Sequence, residues 1–244
     1  MEMRKYHYCT MVKKMMADLY TPVGIYMHLR DLYPQSALME SSDSHGSDNS
    51  RSFIGIHPIA HIAVTHGRVE ATYPNGERVT HLLGTTVKGQ AKEQVVDAID
   101  SFLAHFQVDG EGKEFCGLYG YTAFNAVRYF EDIAIKDTTM DKNDAPDILY
   151  ILYRDVIVFD HYNNTMQLIV LSQTEDNTAS AELALLERSI GKDNVKPYGF
   201  RPIGPTYSTL TDEEHKANIH RCIDHCLRGD VFQIVVSRLS ALRG

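Results

Sequence analysis

The sequence lacks both a long hydrophobic run and an excess of positive charge. No apolar stretch approaches the roughly 20 residues that a membrane-spanning helix needs, and the opening residues, MEMRKYHYCTMVKK, are too polar for the core of a signal peptide. Asp and Glu number 32 against 24 Lys and Arg, which gives a net charge of −8. Nucleic acids and anionic membranes select clustered Lys and Arg, so neither partner is expected. The sequence predicts a soluble, cytoplasmic protein.

Cysteines are also few, and the chain has only Cys9, Cys116, Cys222 and Cys226. Their spacing matches no disulfide framework. Cys222 and Cys226 stand four residues apart on the apolar stripe of a predicted helix. They are therefore interpreted as reduced core residues of a protein from a reducing compartment.

Hydrophobic periodicity alternates between helical and strand patterns along 244 residues, enough for one large or two small domains. Helices are predicted at residues 22–32, 92–106 and 179–190. Strands are predicted within residues 52–80, 148–159 and 166–171, with turns at TYPNGERV and residues 161–164. Residues 1–20 are interpreted as a strand followed by a helix, and the polar residues 41–50 as a disordered loop. Many strands with few crossover helices indicate a mixed α/β (α+β) domain built on antiparallel sheet.

The C-terminal residues 206–244 have the pattern of a helix, a corner and a strand. Thr211 and Glu214 have the spacing of a capping box, and Gly229 can adopt the left-handed conformation that ends a helix. The apolar stripe of this helix comprises Ile219, Cys222, Ile223, Cys226 and Leu227. Residues 231–236 are too apolar for a strand with one solvated face, so we expect a strand covered on both faces. If it is uncovered, its edge predicts self-association.

Several segments together resemble the chorismate-utilising enzyme family of anthranilate synthase component I, in the family's order along the chain. They are TPVGIYMHLRDLYPQSALMES (residues 21–41), SFIGIHP (52–58), GLYGYTAFNAVRYFE (117–131), DILYILYRDVIVFDH (147–161) and GDVFQIVVSR (229–238). The matches touch most of the chain between residues 21 and 238. They are specific for the family and less so for the member.

The resemblance implies a layered antiparallel β-sandwich with flanking helices. Residues 1–205 would form the N-terminal regulatory and scaffold domain. Residues 206–244 would be the start of the chorismate-binding catalytic domain, and we expect the chain to be truncated before most of that domain.

The resemblance also implies an activity. The family's anthranilate synthases convert chorismate to anthranilate and pyruvate for tryptophan biosynthesis, with Mg²⁺ and with ammonia from a glutamine amidotransferase partner, component II. Alternatives are aminodeoxychorismate synthase component I and a non-catalytic amino-acid-binding module. The family's Asn-Pro-Ser-Pro-Tyr-Met segment, Gly-Ala-Gly turn, catalytic His and paired magnesium glutamates have no match here. No catalytic or metal residue is therefore assigned, and this chain alone is expected to be inactive.

The sharpest candidate site is the segment Leu38, Met39, Glu40 and Ser41. From the residues alone, a carboxylate and a hydroxyl after apolar residues form either an acceptor for an ammonium group or a capped, exposed terminus. By resemblance, Glu40 and Ser41 occupy positions of the tryptophan feedback pocket, with Leu38 and Met39 beside them. Met39 replaces the family's more usual second Leu and conserves its size.

Other spacings suggest sites that the residues do not favour. His57 and His61 are four apart, but in a predicted strand that spacing forms no helical metal clamp. His215, His220 and His225 recur every five residues and rotate around the predicted helix. Gly117 and Gly120 lack the Lys-Ser/Thr of a phosphate loop and are interpreted as a tight turn before a helix.

Overall fold

The computed structural model describes residues 6–40, 50–84, 94–131, 133, 145–173, 178–191, 199 and 201–243. The chain forms two compact units, Met1–Val195 and Lys196–Gly244. The predicted boundary between an N-terminal regulatory domain (residues 1–205) and the start of a catalytic domain (residues 206–244) stays a prediction. Within the described ranges, no helix is long and apolar enough to cross a membrane.

Eleven strands and four α-helices are assigned in the described residues. The strands are β1 (Tyr6–Met16), β2 (Ala37–Met39), β3 (Arg51–Thr65), β4 (Arg68–Thr72), β5 (Arg78–Leu82), β6 (Phe106–Asp109), β7 (Leu118–Thr122), β8 (Ile148–Asp160), β9 (Thr165–Gln173), β10 (Ile203–Ser208) and β11 (Ser240–Arg243). The helices are α1 (Pro22–Leu29), α2 (Val95–Leu103), α3 (Ala179–Ile190) and α4 (Asp212–Leu227). Two short 3-10 helices lie at Lys113–Phe115 and Phe124–Tyr129.

The first unit is built on a nine-stranded mixed sheet. Seven strands follow the order β5-β4-β3-β8-β9-β1-β6, and β2 and β7 pair with β3 and β8 off this path. Its centre is the long antiparallel pair of β3 and β8, from Arg51 opposite Asp160 to Val64 opposite Ile148. At one end of this pair β2 joins β3 and β9 joins β8, and at the other end β4 joins β3 and β7 joins β8. Only β1 and β6 pair in parallel among the described strands. The predicted mixed α/β class is confirmed.

Apolar side chains form clusters on both faces of the central pair. On one face, α1 and α3 cover the end of the pair that carries Ile56 and Ile157, and α2 covers the other end, at Ile62. Because successive strand residues face opposite sides, Val156 and Val158 point to the other face, where Tyr153 joins them. An aromatic group also links the β1–β6 edge to the β4–β5 turn, with ring centroids of Tyr6 and Tyr73 at 6.2 Å.

Local signals that were predicted from sequence are confirmed in several elements. α1 begins at Pro22, as predicted, and ends at Leu29, three residues before the predicted end. The Thr21 side chain caps it by accepting a hydrogen bond from the Gly24 amide at 3.0 Å. The Asn-Gly turn between β4 and β5 places Gly76 at φ 83°, and the predicted helix at residues 179–190 is α3. The predicted strands at residues 148–159 and 166–171 correspond to β8 and β9. The predicted loop at residues 41–50 falls almost wholly outside the described residues.

Three predictions in the first unit are wrong. The predicted helix before residue 20 is absent from the described chain, because β1 runs from Tyr6 to Met16 between β9 and β6. Phe106 begins β6 and does not extend α2. Gly120 lies in a strand and not in a turn, because it pairs with Tyr150 of β8. An added Cβ there would meet the Leu149 carbonyl oxygen at 1.8 Å. The glycine is needed for the close approach of β7 to β8.

In the second unit, the capping box is confirmed and the last strand is not where it was predicted. The Thr211 hydroxyl accepts from the Glu214 amide at 3.2 Å, while the Glu214 carboxylate accepts from the Thr211 amide at 2.8 Å. Gly229 has φ 77°, as predicted for the end of α4. Residues 231–236 form no strand in the described chain. The strand that pairs with β10 is β11, a few residues later.

The apolar residues of the second unit also differ from expectation. The side chains of Leu227 and Val235 are 81% and 78% exposed. Cys226 is exposed, so its interpretation as a core residue is wrong. Self-association was predicted from a strand edge at residues 231–236, and that strand is not formed in the described chain. The prediction now rests on the exposed apolar side chains alone.

Candidate functional site

The predicted site lies at the end of β2, a short strand held at the edge of the sheet. Ala37, Leu38 and Met39 stand opposite Gly55, Ile54 and Phe53 of β3. Leu38 packs against the apolar cluster under α1 and α3, whereas Ala37 packs on the opposite face. Strand alternation therefore places Met39 on the Ala37 face. Glu40 follows immediately and is exposed.

Ser41 lies outside the described residues. The structure thus brings together three of the four predicted site residues, Leu38, Met39 and Glu40, as consecutive positions at one strand end. This arrangement offers a solvated carboxylate next to apolar side chains.

An aromatic group, which the sequence did not predict, lies beside β2 on the Ala37 face. The ring of Phe53, opposite Met39, lies 6.2 Å from Phe115 and 5.6 Å from Tyr119. The guanidinium carbon of Arg51 stands 5.3 Å from the Phe115 centroid, a cation–π distance. Arg51 and Phe53 are two residues apart on β3, so their side chains lie on the same face of the sheet. The Met39 face of this strand end therefore carries a guanidinium and flat apolar rings, and the exposed Glu40 follows Met39 directly in the chain.

Burial controls the chemistry of the groups behind these rings. Burial raises the pKa of the Cys116 thiol to about 12, with the Glu114 carboxylate adding to the effect. Burial likewise raises the pKa of Tyr119, whose hydroxyl donates to the Phe115 carbonyl at 2.5 Å. Both side chains are therefore neutral at physiological pH and act as packing groups behind the rings of Phe53 and Phe115.

A second polar cluster lies where the central strand pair is interrupted. β3 shifts register between Pro58 and Ala60, and His57 just before it has φ 54°. Asp155 is 3% exposed. Its carboxylate is bonded to the His57 ring and accepts from Arg154 Nε at 3.2 Å. Arg154 also pairs with Glu182 of α3 at 2.9 Å. The cluster ties α3 to the central strands, because Arg154 pairs with both Asp155 and Glu182.

Two other features lie apart from β2. A cavity of about 330 Å³ is lined by residues that include Gly67, Gln94, Arg128 and Tyr129, and the described site residues are not among its lining. His57 and His61 lie in β3, as predicted. Within the part of the chain that the structure describes, no three His, Cys, Asp or Glu side chains are grouped so as to hold a metal ion.

Comparison with known proteins gives a consistent result. The family model described as chorismate binding enzyme matches residues 35–243. Anthranilate synthase component 1 of Thermus thermophilus is 28% identical over 233 residues, covering 94% of this chain and 47% of that protein. The corresponding protein of Neisseria meningitidis serogroup B is 25% identical, covering 96% of this chain and 48% of that protein.

A solved structure agrees at the level of the fold. The crystal structure of anthranilate synthase component I from Streptococcus pneumoniae superposes with a TM-score of 0.51 at 15% identity, covering 89% of this chain and 46% of that one. The chain spans about half the length of the curated relatives it matches.

Proposed function

This chain belongs to the chorismate binding enzyme family, and from that membership we propose that it is the N-terminal part of an anthranilate synthase component I. The complete enzyme would convert chorismate, with ammonia from glutamine, to anthranilate and pyruvate in the cytoplasm. The observation that carries the proposal is the family match across residues 35–243. The relatives named anthranilate synthase component 1 support the choice of member.

The finer features of the proposal follow from the same membership. The described sheet would be one part of a layered β-sandwich, and residues 206–244 would begin the catalytic domain. Mg²⁺ in that domain would bind the carboxylate of chorismate. A component II amidotransferase would deliver ammonia. The family's paired magnesium glutamates match no residue of this chain, so we assign it no magnesium ligand.

We propose that the end of β2 is half of a tryptophan feedback site. Glu40 would accept hydrogen bonds from the ammonium group of the ligand, and Ser41 would meet its carboxylate or amine. Leu38 and Met39 would supply apolar surface at the strand end. Arg51, at the start of β3 on the Met39 face, is a second candidate for the ligand's carboxylate, since guanidinium groups pair well with carboxylates.

The strength of such a half-site can be estimated from its contacts. A charge-assisted hydrogen bond contributes roughly 1.5–3 kcal/mol, and immobilising a free ligand costs about 4 kcal/mol or more. Two such bonds therefore leave little net affinity, and part of the indole wall would come from outside this chain. We expect the chain alone to bind tryptophan no tighter than about 1 mM.

The proposed activity can be tested by supplying the part of the enzyme that this chain does not match. The chain alone, given chorismate, ammonia and Mg²⁺, is expected to form no anthranilate, because the family's catalytic His and magnesium glutamates match none of its residues. A fusion of this chain to the remaining half of the Thermus thermophilus relative is expected to form anthranilate. Fluorescence follows the product, and mass spectrometry identifies it.

The controls separate the alternatives. The intact Thermus thermophilus enzyme serves as the positive control, and its catalytic half without this chain as the background. If anthranilate-forming activity co-purifies with the isolated chain, the assignment of catalysis to the other half is contradicted. If the fusion forms aminodeoxychorismate, the chain belongs to an aminodeoxychorismate synthase component I and not to an anthranilate synthase.

A further inference from the structure

The backbone immediately before β2 adopts a conformation that needs support. Gln35 has φ 64°, in the left-handed region that a residue with a Cβ seldom occupies. Its neighbour Ser36 leads directly into Ala37, the first residue of β2. The direction in which β2 starts is therefore set at Gln35, five residues before Glu40.

A buried tyrosine of β8 forms a hydrogen bond with the backbone of Gln35. Tyr153 is 2% exposed, and its hydroxyl donates to the Gln35 carbonyl at 3.0 Å. Its ring covers Gly55, the residue opposite Ala37. A Cβ on Gly55 would lie 2.4 Å from a ring atom of Tyr153, so the ring occupies the space that any other residue at position 55 would fill.

A second tyrosine acts on the next residue. Tyr26 of α1 donates to the Ser36 carbonyl at 3.4 Å, a longer and weaker bond. Burial raises the pKa of Tyr153 to about 12, and the neighbouring Tyr26 adds to that rise. The Tyr153 hydroxyl is therefore protonated, and able to donate, across the ordinary pH range.

We propose that Tyr153 is a positioning residue for the ligand-binding end of β2, with Tyr26 in a supporting role. By fixing the carbonyl of Gln35, Tyr153 sets where Met39 and Glu40 stand relative to Phe53. This inference rests on the tryptophan half-site proposed above for its functional consequence. The placement of β2 by Tyr153 can be measured without any ligand.

The test compares Tyr153→Phe with Tyr150→Phe in the 244-residue chain. Each change removes one hydroxyl from β8, and that of Tyr150 bonds to Thr122 Oγ1 at 2.7 Å, away from β2. Hydrogen exchange of the amides at residues 37–39 is expected to be about fivefold faster in Tyr153→Phe, the factor that one lost hydrogen bond implies. The same amides in Tyr150→Phe, and the amides of β9 in both variants, are expected to keep their rates.

A ligand arm tests the functional consequence. With methyl-labelled methionine, the Met39 signal reports tryptophan binding, and the dissociation constant is expected to rise about fivefold in Tyr153→Phe and to stay unchanged in Tyr150→Phe. Unchanged exchange at residues 37–39 would overturn the positioning role, and so would exchange that accelerates equally in β9. If tryptophan leaves Met39 unmoved even in the unsubstituted chain, the tryptophan site is wrong, while the exchange rates still decide the role of Tyr153.

Discussion

Replacing Asp155 by alanine is expected to lower the free energy of unfolding by about 3 kcal/mol. Asp155 is 3% exposed, and its carboxylate is bonded to both His57 and Arg154. Its removal leaves two polar side chains at the interruption of the central strand pair without their shared acceptor. We place the loss at the low end for a broken buried pair because Arg154 keeps Glu182 as a partner.

Urea unfolding followed by circular dichroism measures this effect. Glu187→Ala is the matched control, because it also removes a carboxylate from an ion pair, with Lys13 at 2.6 Å, but at a half-exposed position. Exposed pairs contribute up to about 1 kcal/mol. Equal losses in the two variants would show that the Asp155 cluster does not hold the central strands.

Gly120→Ala is expected to cost about 3 kcal/mol or more, the upper end for overpacking. The new Cβ would stand 1.8 Å from the Leu149 carbonyl oxygen and 3.0 Å from Tyr150 Cα. Both are backbone atoms of β8, so the clash can be relieved only by separating β7 from β8. This separation would disturb the strand that carries Tyr119.

Gly117→Ala provides the comparison for Gly120→Ala. A Cβ at Gly117 would meet nothing within 4 Å, and the change should alter stability by less than about 1 kcal/mol. Thermal unfolding of both variants measures the difference. If Gly120→Ala is as stable as Gly117→Ala, the close approach of β7 and β8 is not as described.

Elements with local signals could be predicted from the sequence. Thr21 followed by Pro22, the Asn-Gly turn and the box of Thr211 with Glu214 each specify an end or a corner through residues a few positions apart. β8 and β9 were predictable because β-branched and aromatic residues are concentrated there.

The failures are elements whose structure depends on distant residues. β1 has Tyr8 as its one buried apolar residue in the described strand, so its pattern is weak and its pairing with β9 decides its conformation. Gly120 has the spacing of a turn glycine. A glycine is required there because the backbone of Leu149, 29 residues further along the chain, lies close to it.

The candidate site shows the same limit. Leu38, Met39, Glu40 and Ser41 could be selected only through the family resemblance, since their spacing alone favours an exposed terminus with its cap. Arg51 and Phe53 are two residues apart in a predicted strand. This spacing predicts that they share a face but does not predict a binding site. Phe115 joins them from a 3-10 helix far along the chain, a proximity that only the fold creates.

The most direct test of the half-site is tryptophan titration of this chain, followed by the methyl signal of Met39. We predict that Met39 shifts progressively up to roughly 20 mM tryptophan, consistent with a dissociation constant of about 1 mM or weaker. Glu40→Ala should abolish most of that shift, whereas Glu70→Ala, at an exposed position of β4, should leave it intact. A Met39 signal that does not move, or that moves equally in Glu40→Ala, would contradict a tryptophan site at the end of β2.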